Sequence, residues 1–263
     1  MITRKKALYS GCLLLVSISI STSSRADDSA AQDGVMIGVG AQTTPTYSGA
    51  DKQRWQVVPM LQARKGAFFV DSQKGVGYDL QNDSGLYLEH SLGYGLGRAD
   101  KDSDWRDGSD KLRGMGTINA TLNTAIAAGW AVSPWLVLEA KAVLPLTDSQ
   151  GVNYRTSVTL IPLQSQQDSL SLQTSVLFGD ARYMQTWYGV SARQSVKSGY
   201  ATYSPAAGFY GVETDLTWSH QFTQHWGGAL SAGYTWLDDH AADSPIVFRQ
   251  NQLTATAAVT YKF

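Results

Sequence analysis

Read in steps of two, the chain separates repeatedly into an apolar and a polar series. From Leu86 the apolar series is Leu86, Leu88, His90, Leu92, Tyr94 and Leu96. The intervening series is Tyr87, Glu89, Ser91, Gly93 and Gly95. The same phase recurs over residues 117–126, 136–144, 152–160, 170–178 and 210–218. It recurs last in Leu253, Ala255, Ala257, Val259, Tyr261 and Phe263 set against Gln252, Thr254, Thr256, Thr260 and Lys262. Strict alternation predicts strands with one dry and one wet face, because successive side chains of a strand point to opposite sides.

Two architectures use such strands. In a soluble sandwich the dry faces pack on each other; in a membrane barrel they meet lipid and the wet faces line the interior. The alternating segments are long, near the ~9–11 residues a tilted strand needs to cross a bilayer, whereas strands of soluble proteins average about 5–6. The dry faces are rich in Ala with modest Leu and Val, thin material for a close-packed core. Aromatic residues gather at the predicted strand ends (Trp105, Trp130, Trp135, Trp187, Tyr188, Trp218, Trp226 and Trp236), where interfacial girdles belong. Connections also alternate in length. Short ones fall near residues 82–84, 128–134, 164–168 and 223–226, and long polar ones at 98–111, 191–205 and 238–250. All the short turns share one side if residues 169–190 form a single protruding strand. The fold class that follows is all-β, a transmembrane antiparallel up-and-down β-barrel. Segments 35–43, 54–62 and 68–80 are also strand-like. The wall has twelve strands if 68–80 folds as a hairpin, and ten if 35–43 lies outside it. Twelve is the reading preferred.

Composition agrees with this picture without adding a site. Of 263 residues only 16% are charged, 11% are aromatic and 43% are hydrophobic. The mean hydropathy is nevertheless -0.20, too low for a bundle of membrane helices and natural for strands that are half apolar. A formal net charge of -1 leaves no electrostatic footprint for nucleic acid. The N-terminus reads as a secretory leader. Arg4, Lys5 and Lys6 precede an apolar run over residues 7–20, and Ser24-Arg25-Ala26 supplies small residues at the cleavage positions. The expected division is a signal peptide over 1–26 and one barrel domain over 27–263. Cys12, the single Cys, would leave with the leader. Tyr9 stands where a lipoprotein signal wants a small aliphatic residue.

Candidate chemistry is sparse. A serine hydrolase needs a base within hydrogen-bond reach of its nucleophile and a third orienting group. His90 and His220 fall in the dry phase of their strands, His225 in a short turn, and His240 beside Asp238-Asp239 in a long loop. Only the last could serve a surface hydrolase, and a solvated acidic loop explains it as well. In Glu89-His90-Ser91 the histidine lies on the opposite face from its neighbours. Asp100, Asp102, Asp104 and Asp107 could offer oxygen ligands to calcium, but Lys101 and Arg106 interrupt them. Gly93-Tyr94-Gly95-Leu96-Gly97 has no helix after it and so is no dinucleotide fingerprint. No catalytic residue, cofactor or metal is assigned. On the wet faces Glu89, Glu139, Lys141, Arg155, Glu213 and Asp215 point inward. Groups of mixed sign away from bulk water are usually paired, so a charge network that fills or narrows the lumen is expected. The other reading of the same groups is a narrow, weakly cation-selective channel.

Several motifs resemble those of the MipA/OmpV family of outer-membrane proteins. The turn Pro45-Thr46-Tyr47-Ser48-Gly49 is similar to the family's Pro-x-Tyr-x-Gly turn. Trp187-Tyr188-Gly189-Val190-Ser191, with Ser198-Gly199-Tyr200 and Tyr203, is similar to its tyrosine-rich block. Asp243-Ser244-Pro245-Ile246-Val247 precedes the final strand as it does in the family. The ending in Tyr261 and Phe263 resembles the signal read by the barrel assembly machinery. The resemblance implies a cell outer membrane location and contact with its lipid. In one branch it implies a scaffold joining a lytic transglycosylase to a murein synthase. Other members are described as osmotic-response proteins or adhesins. For a scaffold, the short periplasmic turns or segment 27–34 would be the contact surfaces.

Overall fold

The computed structural model describes residues 33–263. The expected leader, its cleavage site and Cys12 lie outside the described residues. The wall is built from β1 (Gly34–Pro45), β2 (Gln53–Lys65), β3 (Phe68–Asp71), β4 (Gly75–Gln81), β5 (Leu86–Gly95), β8 (Thr121–Ser133), β9 (Leu136–Pro145), β10 (Asn153–Gln164), β11 (Asp168–Gly179), β12 (Gly208–Gln221), β13 (Trp226–Leu237) and β14 (Asn251–Lys262). Each pairs antiparallel with its neighbours in chain order. The ring closes where β1 meets β14, with Met36 opposite Lys262 and Val39 opposite Val259. This is the twelve-stranded reading: residues 34–45 belong to the wall, and residues 68–80 split into the β3–β4 hairpin. The two-residue β6 (Arg98–Ala99) and β7 (Asp107–Gly108) form a parallel pair outside the wall.

Alternation along each strand produces an inside-out distribution of polarity. On β14, Leu253 and Val259 are exposed, while Gln252, Thr256 and Thr260 are buried. Elsewhere Ile37, Val57, Leu88, Ile126 and Leu230 face outward, and Ser91, Ser157, Ser175, Thr217 and Ser219 face inward and are buried. In water such an arrangement would expose apolar surface and bury hydroxyls; a surrounding bilayer makes it favourable. Among the described residues no helix is long and apolar enough to cross a membrane.

The two ends differ. At the end where β1 begins and β14 finishes, turns of a few residues are tied by their own side chains. Asn82 Oδ1 accepts from the backbone N–H groups of Ser84 and Leu86 at 3.1 and 3.0 Å. Ser165 Oγ accepts from Asp168 N at 2.9 Å, and Thr223 Oγ1 from Trp226 N at 3.0 Å. Short turns mark this as the periplasmic end. The opposite, extracellular end carries the long loops and three helices: α1 (Ala181–Trp187), α2 (Ala192–Ser198) and α3 (Asp239–Ala242).

Several boundaries correct the sequence reading. Residues 169–190 are not one protruding strand, because β11 stops at Gly179 and α1 begins. The cause is local: the Asp180 carboxylate accepts from Tyr183 N at 2.6 Å and caps the helix. Trp187 therefore belongs to α1 and Trp105 to a loop, so neither stands at the end of a wall strand. The wall of β8 runs through Trp130 to Ser133, where a turn was expected from residue 128, and it starts at Thr121 rather than residue 117.

Candidate functional site

Signature residues that are far apart in the chain meet in one place, a cap over the extracellular end. Tyr47, which follows the Pro45 that ends β1, is buried, and its hydroxyl donates to the Ile246 carbonyl at 2.9 Å. Gly49 adopts φ +97, and a side chain there would lie 2.7 Å from Val247 Cγ2, so both backbone and space require glycine. Its carbonyl accepts from Phe248 N and Arg249 N. The Tyr188 hydroxyl lies 2.9 Å from Ser48 Oγ, and Ser244 Oγ donates to the Tyr188 carbonyl. Tyr188 N and Gly189 N close the last turn of α1 on Met184. Ser191 and Gln194 form a capping box on α2, which Gly199 ends at φ +81. Ser198 Oγ donates to Gln194 O at 2.7 Å, and the Tyr203 hydroxyl to His240 O at 3.0 Å. Asp243 N and Ser244 N cap α3, next to Pro245. Two apolar clusters lie beneath: Tyr47, Ala50, Leu112, Met115, Val190 and Ile246 in one, and Leu177, Met184, Tyr188, Tyr210, Leu237 and Ala241 in the other.

Arg98 holds the two halves of this cap together. It is only 3% exposed. Its Nη1 donates to the Trp187 carbonyl at 2.6 Å, and its guanidinium lies 5.8 Å from the ring centres of both Tyr47 and Trp187. Burial pushes its pKa below the ordinary guanidinium value, against the pull of Tyr47, Tyr188 and Asp107. Burial likewise raises Tyr47 and Tyr188 well above an ordinary phenol, so both remain neutral. Read from sequence, Arg98 merely opens a charged loop; its neighbours Leu96 and Ala99 were the available hint that the segment turns inward.

Inside the wall, the six inward charged residues lie on the inward phase of β5, β9, β10 and β12. Arg155 and Glu213 are paired through both carboxylate oxygens at 2.9 and 3.3 Å. Asp215 lies two residues along the same face of β12. Glu139 accepts from the Tyr87 hydroxyl at 2.7 Å, and Lys141 stands one inward position further along β9. Glu89, the sixth, pairs with Lys74 at 2.5 Å, and a further inward pair joins Arg64 to Asp79 at 2.6 Å. Bidentate pairing of guanidinium with carboxylate rigidifies such an interior.

The remaining chemical candidates are dispersed. His240 Nδ1 lies 2.8 Å from Asp238, in a pair that caps the exposed helix α3. His90 contacts Thr124 Oγ1 on the outer face, and His220 contacts Asp168 at the periplasmic rim. The loop aspartates turn to separate partners: Asp102 accepts from Asp110 N, and Asp107 pairs with Arg54. Among the described residues no group of three or more His, Cys, Asp or Glu could hold a metal ion. At the seam of the barrel, Tyr261 packs edge-on against Phe263 at 5.0 Å and against Trp226 at 5.1 Å, and Phe263 N donates to Val35 O.

Comparison with known proteins accords with this architecture. The family described as MltA-interacting protein MipA matches residues 37–263. The putative outer membrane protein YiaT of Escherichia coli O157:H7 is 24% identical over 237 residues, spanning 89% of this chain and 93% of its own. The MltA-interacting protein of Escherichia coli strain K12 is 34% identical over 77 residues, spanning 29% of this chain and 31% of its own. The crystal structure of the COG4313 outer membrane channel from Pseudomonas putida F1 superposes with a TM-score of 0.52 at 12% identity. That match covers 92% of this chain and 100% of the other, a likeness of fold alone. The molecule is an outer-membrane β-barrel.

Proposed function

The chain belongs to the MltA-interacting protein MipA family, and from that premise we propose that it is a non-enzymatic scaffold on the periplasmic face of the outer membrane. In this reading it holds a lytic transglycosylase, and with it a murein synthase, close to the cell wall. The observation that carries the proposal is the 77-residue segment that is 34% identical to a protein named for its interaction with MltA. The distribution of structure supports it. The extracellular loops interlock through buried contacts, and inside the wall Arg155 pairs with Glu213 and Lys74 with Glu89. The surface left for a periplasmic partner is the ring of short turns at 66–67, 82–85, 134–135, 165–167 and 222–225, with the segment leading into β1. The mature chain, from residue 27 after removal of the leader, acts as one barrel domain. Its closing Tyr261 and Phe263 are the residues offered to the barrel assembly machinery.

Mild crosslinking of outer membranes followed by affinity purification of the tagged barrel should recover a lytic transglycosylase. Exchanging the turn residues 82–85 and 165–167 for glycine-serine linkers should reduce that recovery while the heat-modifiable gel shift of the folded barrel is kept. Recovery of no murein enzyme from membranes that contain both proteins would sink the reading.

A further inference from the structure

The wall is not equally tall all round. Ten of its strands have 10 to 14 residues, but β3 has 4 and β4 has 7. The β2–β3 ladder ends at Gln62 opposite Asp71, and the β4–β5 ladder at Val76 opposite Leu92. Beyond those pairs β2 continues to Gln53 along β1, and β5 to Gly95 along β8. Between the two upper halves no wall strand is present. The bottom of the break is the Asp71–Gly75 turn, where Ser72 N donates to the Leu61 carbonyl. Its top is a clasp of side chains: Arg54 donates to the Arg106 carbonyl and pairs with Asp107, while Arg106 reaches the Leu96 carbonyl. Seven strand steps from Arg54 to Leu61 make the break roughly 23 Å long, and the three strand spacings from β2 to β5 make it about 14 Å wide.

The chemistry of its border is selective. Since Leu61 turns its backbone toward β3, period two turns the backbones of Pro59, Val57 and Trp55 toward the break. A free strand edge is a template for another strand. Here Pro59 has no N–H to offer, which disfavours strand addition from a partner. The outward side chains along the border are Trp55, Val57, Pro59 and Leu61 on β2, with Leu92 and Tyr94 on β5. This places the break in the apolar, lipid-facing surface of the wall. Behind it the inward phase carries apolar Val58, Met60 and Phe69 between Gln56 above and Gln62 below, with Arg64 and Lys74 at 5.6 and 5.7 Å from the Phe69 ring centre. Gly93 and Gly95 leave the β5 side without bulk.

We infer that this break is a lateral opening through which acyl chains of the outer leaflet reach the barrel interior. Apolar surface on both faces accepts a hydrocarbon chain. The unpaired backbone of Trp55 and Val57 needs polar partners that lipid chains cannot supply, and luminal water or an amphiphile's head provides them. The inference is independent of any periplasmic partner.

Bimane labels placed on single cysteines report it, in a chain lacking Cys12. The variants are Val57→Cys on the outer border, Met60→Cys behind the opening, and Ser231→Cys, inward behind continuous wall. Each is reconstituted in vesicles whose phosphatidylcholine carries brominated acyl chains. Bromine should quench the Val57 and Met60 labels to a similar extent and the Ser231 label several-fold less. A Met60 label quenched no more than the Ser231 label overturns the inference. Should Met60→Cys lose the heat-modifiable shift, Gln56→Cys, also inward on β2, takes its place with the same criterion.

Discussion

The two ends of the barrel are built by opposite means. At the periplasmic end the turns hold themselves: Asn82 bonds two and four residues ahead, and Thr223 two and three. At the extracellular end local caps shape the helices, but the bonds that join loop to loop are long-range. Tyr47 bonds to Ile246 across 199 positions, Ser48 to Tyr188 across 140, and Arg98 to Trp187 across 89. The periplasmic turns serve to reverse strands, whereas the cap is a small packed core in its own right, with buried apolar clusters and a buried cation. The family-signature residues lie in the cap, so those motifs record how the outer loops are joined. A partner in the periplasm would meet the other end, which carries none of the loop motifs.

The largest effect that can test this division comes from Arg98→Ala. The substitution removes a buried charge-assisted bond and two ring contacts, and leaves the Trp187 carbonyl without its donor. A loss of about 3 kcal/mol is expected. If cap and wall are separable, trypsin should cleave quickly at Arg193 or Lys197 in α2, while the heat-modifiable shift of the barrel is retained. Loss of that shift would mean that cap and wall unfold as one unit, and the comparison would fail.

The same contrast explains what the sequence could tell. Wall strands announce themselves because their environment alternates between lipid and lumen, residue by residue. Leu253 to Phe263 carries its phase in plain view. The seam with β1 follows from an even number of strands. The cap has no such period. Leu170 to Phe178 alternates up to the point where Asp180 starts a helix, and only the Asp side chain signals the change. Buried Arg98 looks like any basic loop residue, because its rings arrive from residues 47 and 187. Alternation likewise reports which way a residue faces but not how high the wall stands. The hairpin in 68–80 was legible, and the break above it was not. Among the charges, Arg155 and Glu213 were recognisable as inward. Their pairing depends on β10 and β12 standing two strands apart, with only β11 between them.

A smaller effect should come from the periplasmic end. Asn82→Ala deletes an acceptor that takes the N–H groups of Ser84 and Leu86 together with the Ser84 hydroxyl. Water can replace an exposed acceptor, so the expected cost is about 1 kcal/mol. Urea unfolding from detergent micelles should show a modest shift of midpoint and no new trypsin site in α2. A shift as large as that of Arg98→Ala would contradict the view that local turns contribute less than the long-range cap.

The smallest effect concerns the ion pair that ties the first extracellular turn to the loop between β5 and β8. Lys111 Nζ lies 2.7 Å from Asp51, with both side chains more than a third exposed. The hydrogen bond from Lys111 is the leading cause that holds the Asp51 carboxyl below its ordinary range. A carboxylate depressed in the folded state contributes stability at pH values above its unfolded pKa of about 3.9 and loses it as pH falls through the lower folded value. Asp51→Asn should therefore lower stability at neutral pH by about 0.3 kcal/mol, a figure set by solvent screening. The difference between variant and parent should vanish in acid, and it should shrink in high salt. Lys111 also lies 4.1 Å from the centre of the Phe248 ring, a contact that survives the substitution and keeps the effect small. If Asp51→Asn instead opened α2 to trypsin, an exposed pair would be holding the cap. The buried contacts around Arg98 and Tyr47 would then not be what separates the two ends.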